Sequence, residues 1–300
     1  MIPADAAVRG DEDASIDRYL EVLKTSLTRS VGSEKYRPLG PVNPLRQAAC
    51  RAVNTLLRPL SLEVVKRLPF DPEAREHGLD WPAEAETMIG LRRLENIRFC
   101  VEDVLRRSIP GDLIETGVWR GGATIFMRAV LKAHGVVDRR VWVADSFQGL
   151  PKPDARYSQD AGDVHHTASQ LRVSLSQVED NFRRYGLLDD QVKFLVGWFA
   201  DTLPGAPIER LAVLRLDGDM YGSTIESLQS LYDKLSPGGY VIVDDYVLKG
   251  CRAAIDDFRR DRGISDELKV IDNSGAVFWQ KVSAEPQARV VAPGGRLGLR

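Results

Sequence analysis

Cysteine is scarce in this chain: Cys50, Cys100 and Cys251 stand far apart among 300 residues, and none belongs to a CxxC pair. An odd, dispersed set argues against a disulfide framework or a zinc site and leaves the three as small apolar fillers. Long apolar runs are also lacking. No segment approaches the roughly 20 consecutive apolar residues of a membrane-spanning helix. The start, Met-Ile-Pro-Ala-Asp-Ala-Ala-Val-Arg, has neither a basic n-region nor an apolar h-region, which predicts a cytoplasmic protein. Charge of one sign is not in excess, since 41 Lys and Arg face 43 Asp and Glu for a formal net charge of -2. A nucleic-acid partner, which needs a basic field, is therefore not expected. Neither GxSxG nor HExxH occurs, which removes the support for a hydrolase, and there are no internal repeats.

What is present is the composition of an ordinary globular protein with one substantial core, 43% hydrophobic and 28% charged. Ile16, Tyr19, Leu20, Leu23 and Leu27 recur at helical spacing and predict a short helix over 16–27, followed by a loop at Gly40-Pro-Val-Asn-Pro44. Residues 45–68 form a second amphipathic stretch, split by Pro59, in which Arg46, Arg51, Arg58, Lys66 and Arg67 alternate with apolar residues. Such a stretch suits an anionic membrane surface or a partner; the plainer reading is a helix with a solvated face. Met88, Leu91, Leu94, Ile97, Val101 and Val104 predict a long helix over 83–107, stopped at Ile109-Pro-Gly111.

Beyond Gly111 short apolar runs alternate with helical patterns, the mark of a parallel sheet with crossover helices and hence of an α/β fold. Strands are predicted at 112–115, 141–144, 192–196, 212–216 and 240–243, with a closing antiparallel pair at 268–271 and 276–281. Helices are predicted at 123–134, 174–185, 224–235 and 250–262. The last segment, 283–300, mixes Pro, Gly and Arg without periodicity and reads as a flexible tail.

The first strand ends in Glu115-Thr-Gly-Val-Trp-Arg-Gly-Gly122, which puts Gly117, Gly121 and Gly122 in a strand-to-helix turn where open α/β sheets bind ligands. The spacing does not match GxGxxG, and an acidic Glu115 would repel a pyrophosphate. It suits a cofactor carrying a sulfonium and an ammonium group, which favours S-adenosylmethionine over NAD. Asp145, at the end of the second strand, is the expected partner of two ribose hydroxyls; capping a turn is the alternative. Gly197, Trp198 and Phe199 follow the third strand and could shape an adenine pocket, although both aromatics could equally be core.

The fourth strand feeds Asp217-Gly-Asp219 and the fifth feeds Asp244-Asp245. On neighbouring parallel strands these carboxylates converge beside the glycine turn, an arrangement that is costly without a cation. Oxygen ligands favour a hard divalent ion, with magnesium the natural choice. Turn and helix capping would explain either motif alone. His165 and His166 lie in the polar 154–169 segment, where they could cover the site; a surface histidine pair is the plainer reading.

These motifs resemble the macrocin and mycinamicin sugar O-methyltransferases, the TylF/MycF type, which include aminocoumarin sugar O-methyltransferases. The resemblance runs through Trp81-Pro, Thr87-Met-Ile-Gly90, Gly111 to Gly122, Val143 to Pro151, Gly197-Trp-Phe, Asp201-Thr-Leu-Pro204, Leu216 to Tyr221 and Gly238 to Tyr246. It implies a class I S-adenosylmethionine-dependent methyltransferase fold, Rossmann-like, over residues 81–282, with residues 1–80 as a helical lid and dimerisation extension. It also implies S-adenosylmethionine and magnesium as cofactors, a hydroxyl on a glycosylated small molecule as acceptor, and a homodimer or higher homo-oligomer.

Carried over by position, Asp217, Asp244 and Asp245 would hold the metal, and Asp219 would be the general base, with a histidine of 154–169 as the alternative. The cofactor set becomes Met88, Glu115, Thr116, Gly117, Gly121, Gly122, Asp145, Ser146, Gly197, Trp198, Phe199 and Asp217, and Tyr36 is a candidate lid residue. Three departures stand out: Met220 where catechol-type relatives carry a lysine, Gly222 where a larger, often acidic residue is expected, and Val247-Leu-Lys-Gly250 after the aspartate pair. A phenol or other small hydroxylated metabolite as acceptor, and a methyltransferase-like scaffold without activity, stay open as alternatives.

Overall fold

The computed structural model describes residues 4–30, 36–38, 44–67, 70–82 and 84–282; the expected tail at 283–300 lies outside them. In chain order the elements are α1 (Ala4–Leu27), β1 (Tyr36–Pro38), α2 (Pro44–Leu57), β2 (Val65–Arg67), α3 (Pro72–His77), α4 (Leu91–Arg106), β3 (Asp112–Thr116), α5 (Gly122–Ala133), β4 (Val141–Asp145), α6 (Leu175–Arg184) and β5 (Val192–Val196). They continue with α7 (Phe199–Thr202), β6 (Leu211–Leu216), α8 (Tyr221–Leu231), β7 (Leu235–Val243), α9 (Lys249–Asp261), β8 (Lys269–Val270) and β9 (Val277–Gln280).

One seven-stranded sheet, in the order β5-β4-β3-β6-β7-β9-β8, carries the molecule. Strands β3 to β7 pair in parallel, and β9 pairs antiparallel with β7 and β8. Parallel neighbours need crossovers, and these place helices on both faces. One core joins Leu20, Leu23 and Leu27 of α1 to Leu94, Ile97 and Val101 of α4, Ile125 and Phe126 of α5, and Val178 and Phe182 of α6. The other joins Leu214 and Val241 to Ile225 and Leu228 of α8, Ile255 and Phe258 of α9, and Trp279. Every residue of β6 is buried, as expected of a strand covered on both faces. Cys100 and Cys251 are buried free thiols.

The order reverses between β3 and its neighbours β4 and β6, so a crevice opens at the carboxyl ends of these strands. The expected α/β class and all seven strands of the sheet are found, with β7 beginning earlier, at Leu235. Three elements differ. The short helix expected over 16–27 begins at Ala4 and runs for 24 residues. The helix expected over 83–107 begins only at Leu91: Glu86 and Thr87 donate their amides to Leu27 O (3.1 and 3.3 Å), and Gly122 donates to Glu86 O (3.0 Å). Those bonds hold 84–87 as a strap against α1 and α5, which the helical period cannot show. The stretch 45–68 is helical only through α2; β2 then pairs antiparallel with β1. On α2 and the turn after it, Arg51 and Arg58 are exposed, but so are Val53, Leu56 and Leu60.

Candidate active site

A cavity of about 740 Å³ occupies the crevice. Its floor is set by backbone contacts. Gly117 has φ +90°, and a Cβ there would lie 1.8 Å from Asp217 O, so only glycine lets the β3 turn meet the β6 turn. Asp217 in turn donates its amide to Thr116 O at 2.9 Å. Asp145 accepts the amides of Val118 (2.8 Å) and Phe147 (2.7 Å), which ties the ends of β3 and β4 together. Burial pushes the Asp145 carboxyl up, against the pull of those amides. Trp119 (φ 47°), Phe147 (φ 55°) and Asp219 (φ 58°) hold left-handed backbone, each just beyond the end of β3, β4 or β6. Such conformations cost of order 1 kcal/mol or more and persist only where their surroundings enforce them.

The far wall is a buried ionic cluster. Arg215, 1% exposed in the middle of the sheet, binds Glu115, Asp217 (2.6 Å) and Asp244. Arg93 of α4 reaches Asp244 and, at 2.7 Å, Asp272. Burial, offset by Arg215, leaves the Glu115 carboxyl pushed up to about 8, and its Oε2 is buried without a partner. Asp217, Asp244 and Asp245 bring one carboxylate oxygen each within 4.8 Å of one another. Among the described residues no cationic side chain pairs with Asp245, whose Oδ2 accepts the Asp219 amide at 3.0 Å. Burial and then the charge of Asp219 drive the Asp245 carboxyl well up. Asp219 is pushed up to about 7 by burial and then by the charge of Asp217.

Residues 151–172 roof the cavity. His165 lines it, with Nδ1 2.8 Å from Asp163 Oδ2; that bond raises the imidazole pKa, and the charge of Asp219 adds to it. The Trp119 indole donates to Gln170 O at 2.9 Å and anchors the end of the roof.

Of the residues expected from sequence, Met88, Glu115, Gly117, Asp145, Ser146, Gly197, Trp198, Phe199, Asp217, Asp219, Asp244 and Asp245 line this one cavity. Thr116, Gly121 and Gly122 do not. Thr116 is buried in the sheet, with Oγ1 directed at Arg215 O (3.4 Å). A Cβ on Gly121 would meet Val178 at 2.8 Å, and one on Gly122 would meet Glu86 O and Thr87 Cβ at 2.6 Å. These two glycines therefore admit α6 and the strap. His166 and the exposed Tyr36 also lie off the cavity. The sequence reasoning missed Arg215, Arg93, Tyr157, Asp160 and Glu226, of which Arg215 alone left a signal: a charge inside the apolar run Ala212-Val-Leu-Arg-Leu216.

Strand order, glycine turn and cavity position together define a class I S-adenosylmethionine-dependent methyltransferase fold. The solved O-methyltransferase NovP shares it at 46% identity and TM-score 0.76, with 89% of this chain and 100% of that one covered. CalS11, a calicheamicin methyltransferase, shares the fold alone at 16% identity and TM-score 0.51, over 80% of this chain and 94% of that one. The family described as macrocin-O-methyltransferase (TylF) matches residues 16–281, and the chain belongs to that family and is an O-methyltransferase. Demethyldecarbamoylnovobiocin O-methyltransferase of Streptomyces niveus is 58% identical over 71% of this chain and 82% of its own length. Mycinamicin III 3''-O-methyltransferase of Micromonospora griseorubida is 54% identical over 73% and 87%. A Streptomyces olivaceus enzyme, 8-demethyl-8-(2,3-dimethoxy-alpha-L-rhamnosyl)-tetracenomycin-C 4'-O-methyltransferase, is 56% identical over 73% and 84%.

Proposed function

We propose that this chain methylates a hydroxyl on the sugar of a glycosylated natural product, drawing the methyl group from S-adenosylmethionine with the help of magnesium. The observation that carries the reading is the convergence of Asp217, Asp219, Asp244 and Asp245 beside the Gly117 turn in one cavity. The named relatives act on glycosylated antibiotics, which supports a sugar acceptor over a phenol.

The donor set fits a hard dication: three carboxylates meet, and Asp245 is half-buried with no cationic side chain among the described residues to offset it. When bound between these carboxylates, magnesium would make a nearby acceptor hydroxyl more acidic. Arg215 and Arg93 hold Asp217 and Asp244 in place by charge-assisted bonds. Asp219 takes the hydroxyl proton, as a carboxylate that lines the same cavity beside Asp217, Asp244 and Asp245. Asp145, already fixed by two amides, keeps lone pairs for the ribose hydroxyls. Met88, Ser146, Gly197, Trp198 and Phe199 wall the rest of the cofactor half, which Glu115 also lines, with its buried Oε2 unpartnered. Thr116, Gly121 and Gly122 shape the turn from behind. His165 is the second candidate for the base, since it too faces the carboxylates.

The test is transfer of labelled methyl from S-adenosylmethionine to mycinamicin III, to demethyldecarbamoylnovobiocin and to catechol, with and without EDTA. At least one glycoside is expected to gain a methyl group on its sugar, EDTA to abolish the transfer and magnesium to restore it. Methylation of catechol alone would replace the sugar reading with the phenolic one. Full turnover in excess chelator would remove the metal from the mechanism.

A further inference from the structure

The roof, residues 151–172, contains no strand and no α-helix, only 3-10 turns at Ser158–Asp160, His165–Thr167 and Ser169–Leu171. A connection of this length without regular structure needs a tether if it is to hold one shape. Asp160 supplies one. It is 4% exposed, and both carboxylate oxygens are used: Oδ1 accepts the Tyr221 amide at 2.7 Å and Oδ2 the Gly222 amide at 2.8 Å. These amides open α8, whose N-cap residue, Met220, has no side-chain oxygen to offer them. The roof therefore caps a helix of the sheet layer from outside the helix's own sequence.

Two glycines make room for it. A Cβ on Gly222 would lie 2.8 Å from Tyr157 Cδ2 and 3.3 Å from Asp160 Oδ2, and a Cβ on Gly250 would lie 3.0 Å from Asp160 Oδ1. Neither glycine has positive φ, so their requirement is space rather than backbone conformation. The unusual Gly222 is explained by the same contact: Tyr157 and Asp160 fill the volume a larger side chain would take. Beside the tether, Tyr157 packs on Tyr221 with ring centroids 5.6 Å apart and donates its hydroxyl to Glu226 at 3.2 Å. Tyr157, Glu226 and His165 all line the cavity.

We propose that Asp160 is the positioning residue of the cavity roof, latching it to the start of α8 and so fixing Tyr157 and His165 as the wall against which the acceptor is held. The latch acts on the shape of the acceptor half and leaves the cofactor half alone, because its partners belong to α8, α9 and the roof.

The test compares wild type, Asp160→Ala and Asp160→Asn by limited trypsin digestion of the full chain, with cleavage scored at Arg156 and Arg172 and calorimetric binding of S-adenosylhomocysteine measured alongside. Asp160→Ala is expected to speed roof cleavage about tenfold, the consequence of losing a helix cap, with cofactor-product affinity within about twofold. Asp160→Asn should fall between, since an amide keeps one acceptor oxygen but turns N–H groups toward the other donor. With a glycoside that the wild type methylates, KM for that acceptor should rise more than kcat falls. Unchanged roof cleavage in Asp160→Ala overturns the proposal, as does cleavage accelerated equally throughout the chain or a matching loss of S-adenosylhomocysteine binding. The digestion arm needs no acceptor, so it decides the latch even if the glycoside reading fails.

Discussion

On the β3–β4–β5 side of the cavity the decisive contacts are made by backbone, whereas on the β6–β7 side they are made between ionised side chains. Gly117 abuts the Asp217 carbonyl, and the Val118 and Phe147 amides close on Asp145. Across the crevice, Arg215 and Arg93 gather Asp217, Asp244 and Asp272, and Arg215 reaches over to Glu115 of β3. The first kind of wall is short-range and indifferent to protonation apart from Asp145. The second depends on charge balance, and so on pH and on any cation present. A cofactor site can thus be rigid while the adjoining reaction site answers to its ionic surroundings.

The contrast breaks first at Gly117. Gly117→Ala drives a Cβ into a carbonyl oxygen at 1.8 Å and forces a side chain to φ +90°, and is expected to cost about 4 kcal/mol or more of stability. Urea denaturation checks this; a loss under about 1 kcal/mol would show that the two turns can separate freely. Next comes Arg215→Met, which leaves buried carboxylates unpaired and should cost about 3–5 kcal/mol. Its pH dependence has a definite sign. Glu115 is already raised in the fold, to about 8, and goes higher without Arg215. A carboxyl with a raised folded pKa lowers stability as pH climbs from its ordinary value toward the folded one. The variant should therefore gain stability as pH falls from 8 toward 5, and a flat profile would contradict the charge-built wall.

The smallest effect lies outside the cavity. Arg128 holds Asp189 in a two-pronged pair at 3.0 and 2.6 Å, and that bond lowers the Asp189 pKa. Asp189 is partly exposed, and the buried Arg128 keeps Gln191 as a partner at 2.8 Å, so Asp189→Asn should cost about 1 kcal/mol at neutral pH. For a depressed carboxylate the contribution is full above the ordinary value and fades as pH falls through the lower folded one. Wild type and variant should converge in acid because the wild type loses stability there, whereas the Arg215→Met variant is the one expected to gain it. Divergence in acid would break the assignment.

These two walls also mark what the sequence could disclose. Strand ends, the glycine turn and the aspartates that follow β6 and β7 are local patterns, and the apolar runs that place them are unambiguous; they suffice to bring Asp145, Asp217, Asp244 and Asp245 to one crevice. Gly121 and Gly122 lie off the cavity: in sequence, a glycine freed for a ligand looks the same as one freed for a packed neighbour, here Val178 and Glu86. Arg93 and Asp272 are brought to the cluster by tertiary contact across 151 and 179 positions of chain, which no local pattern encodes. The strap at 84–87 kept a helical period while its amides were spent on Leu27. Asp160 was invisible for a similar reason: a helix cap is sought just before its helix, whereas this one arrives from 61 residues upstream.

The left-handed backbone at Trp119, Phe147 and Asp219 bears on how this enzyme would respond to engineering. A search for heat tolerance that scores only survival should favour glycine or asparagine at these three sites, because either relieves the torsional cost. The same changes would remove an indole that anchors the roof, an aromatic that packs on Phe194, or a carboxylate that lines the cavity and is the proposed base. Hardening the protein and keeping its turnover are therefore opposed at the same three positions.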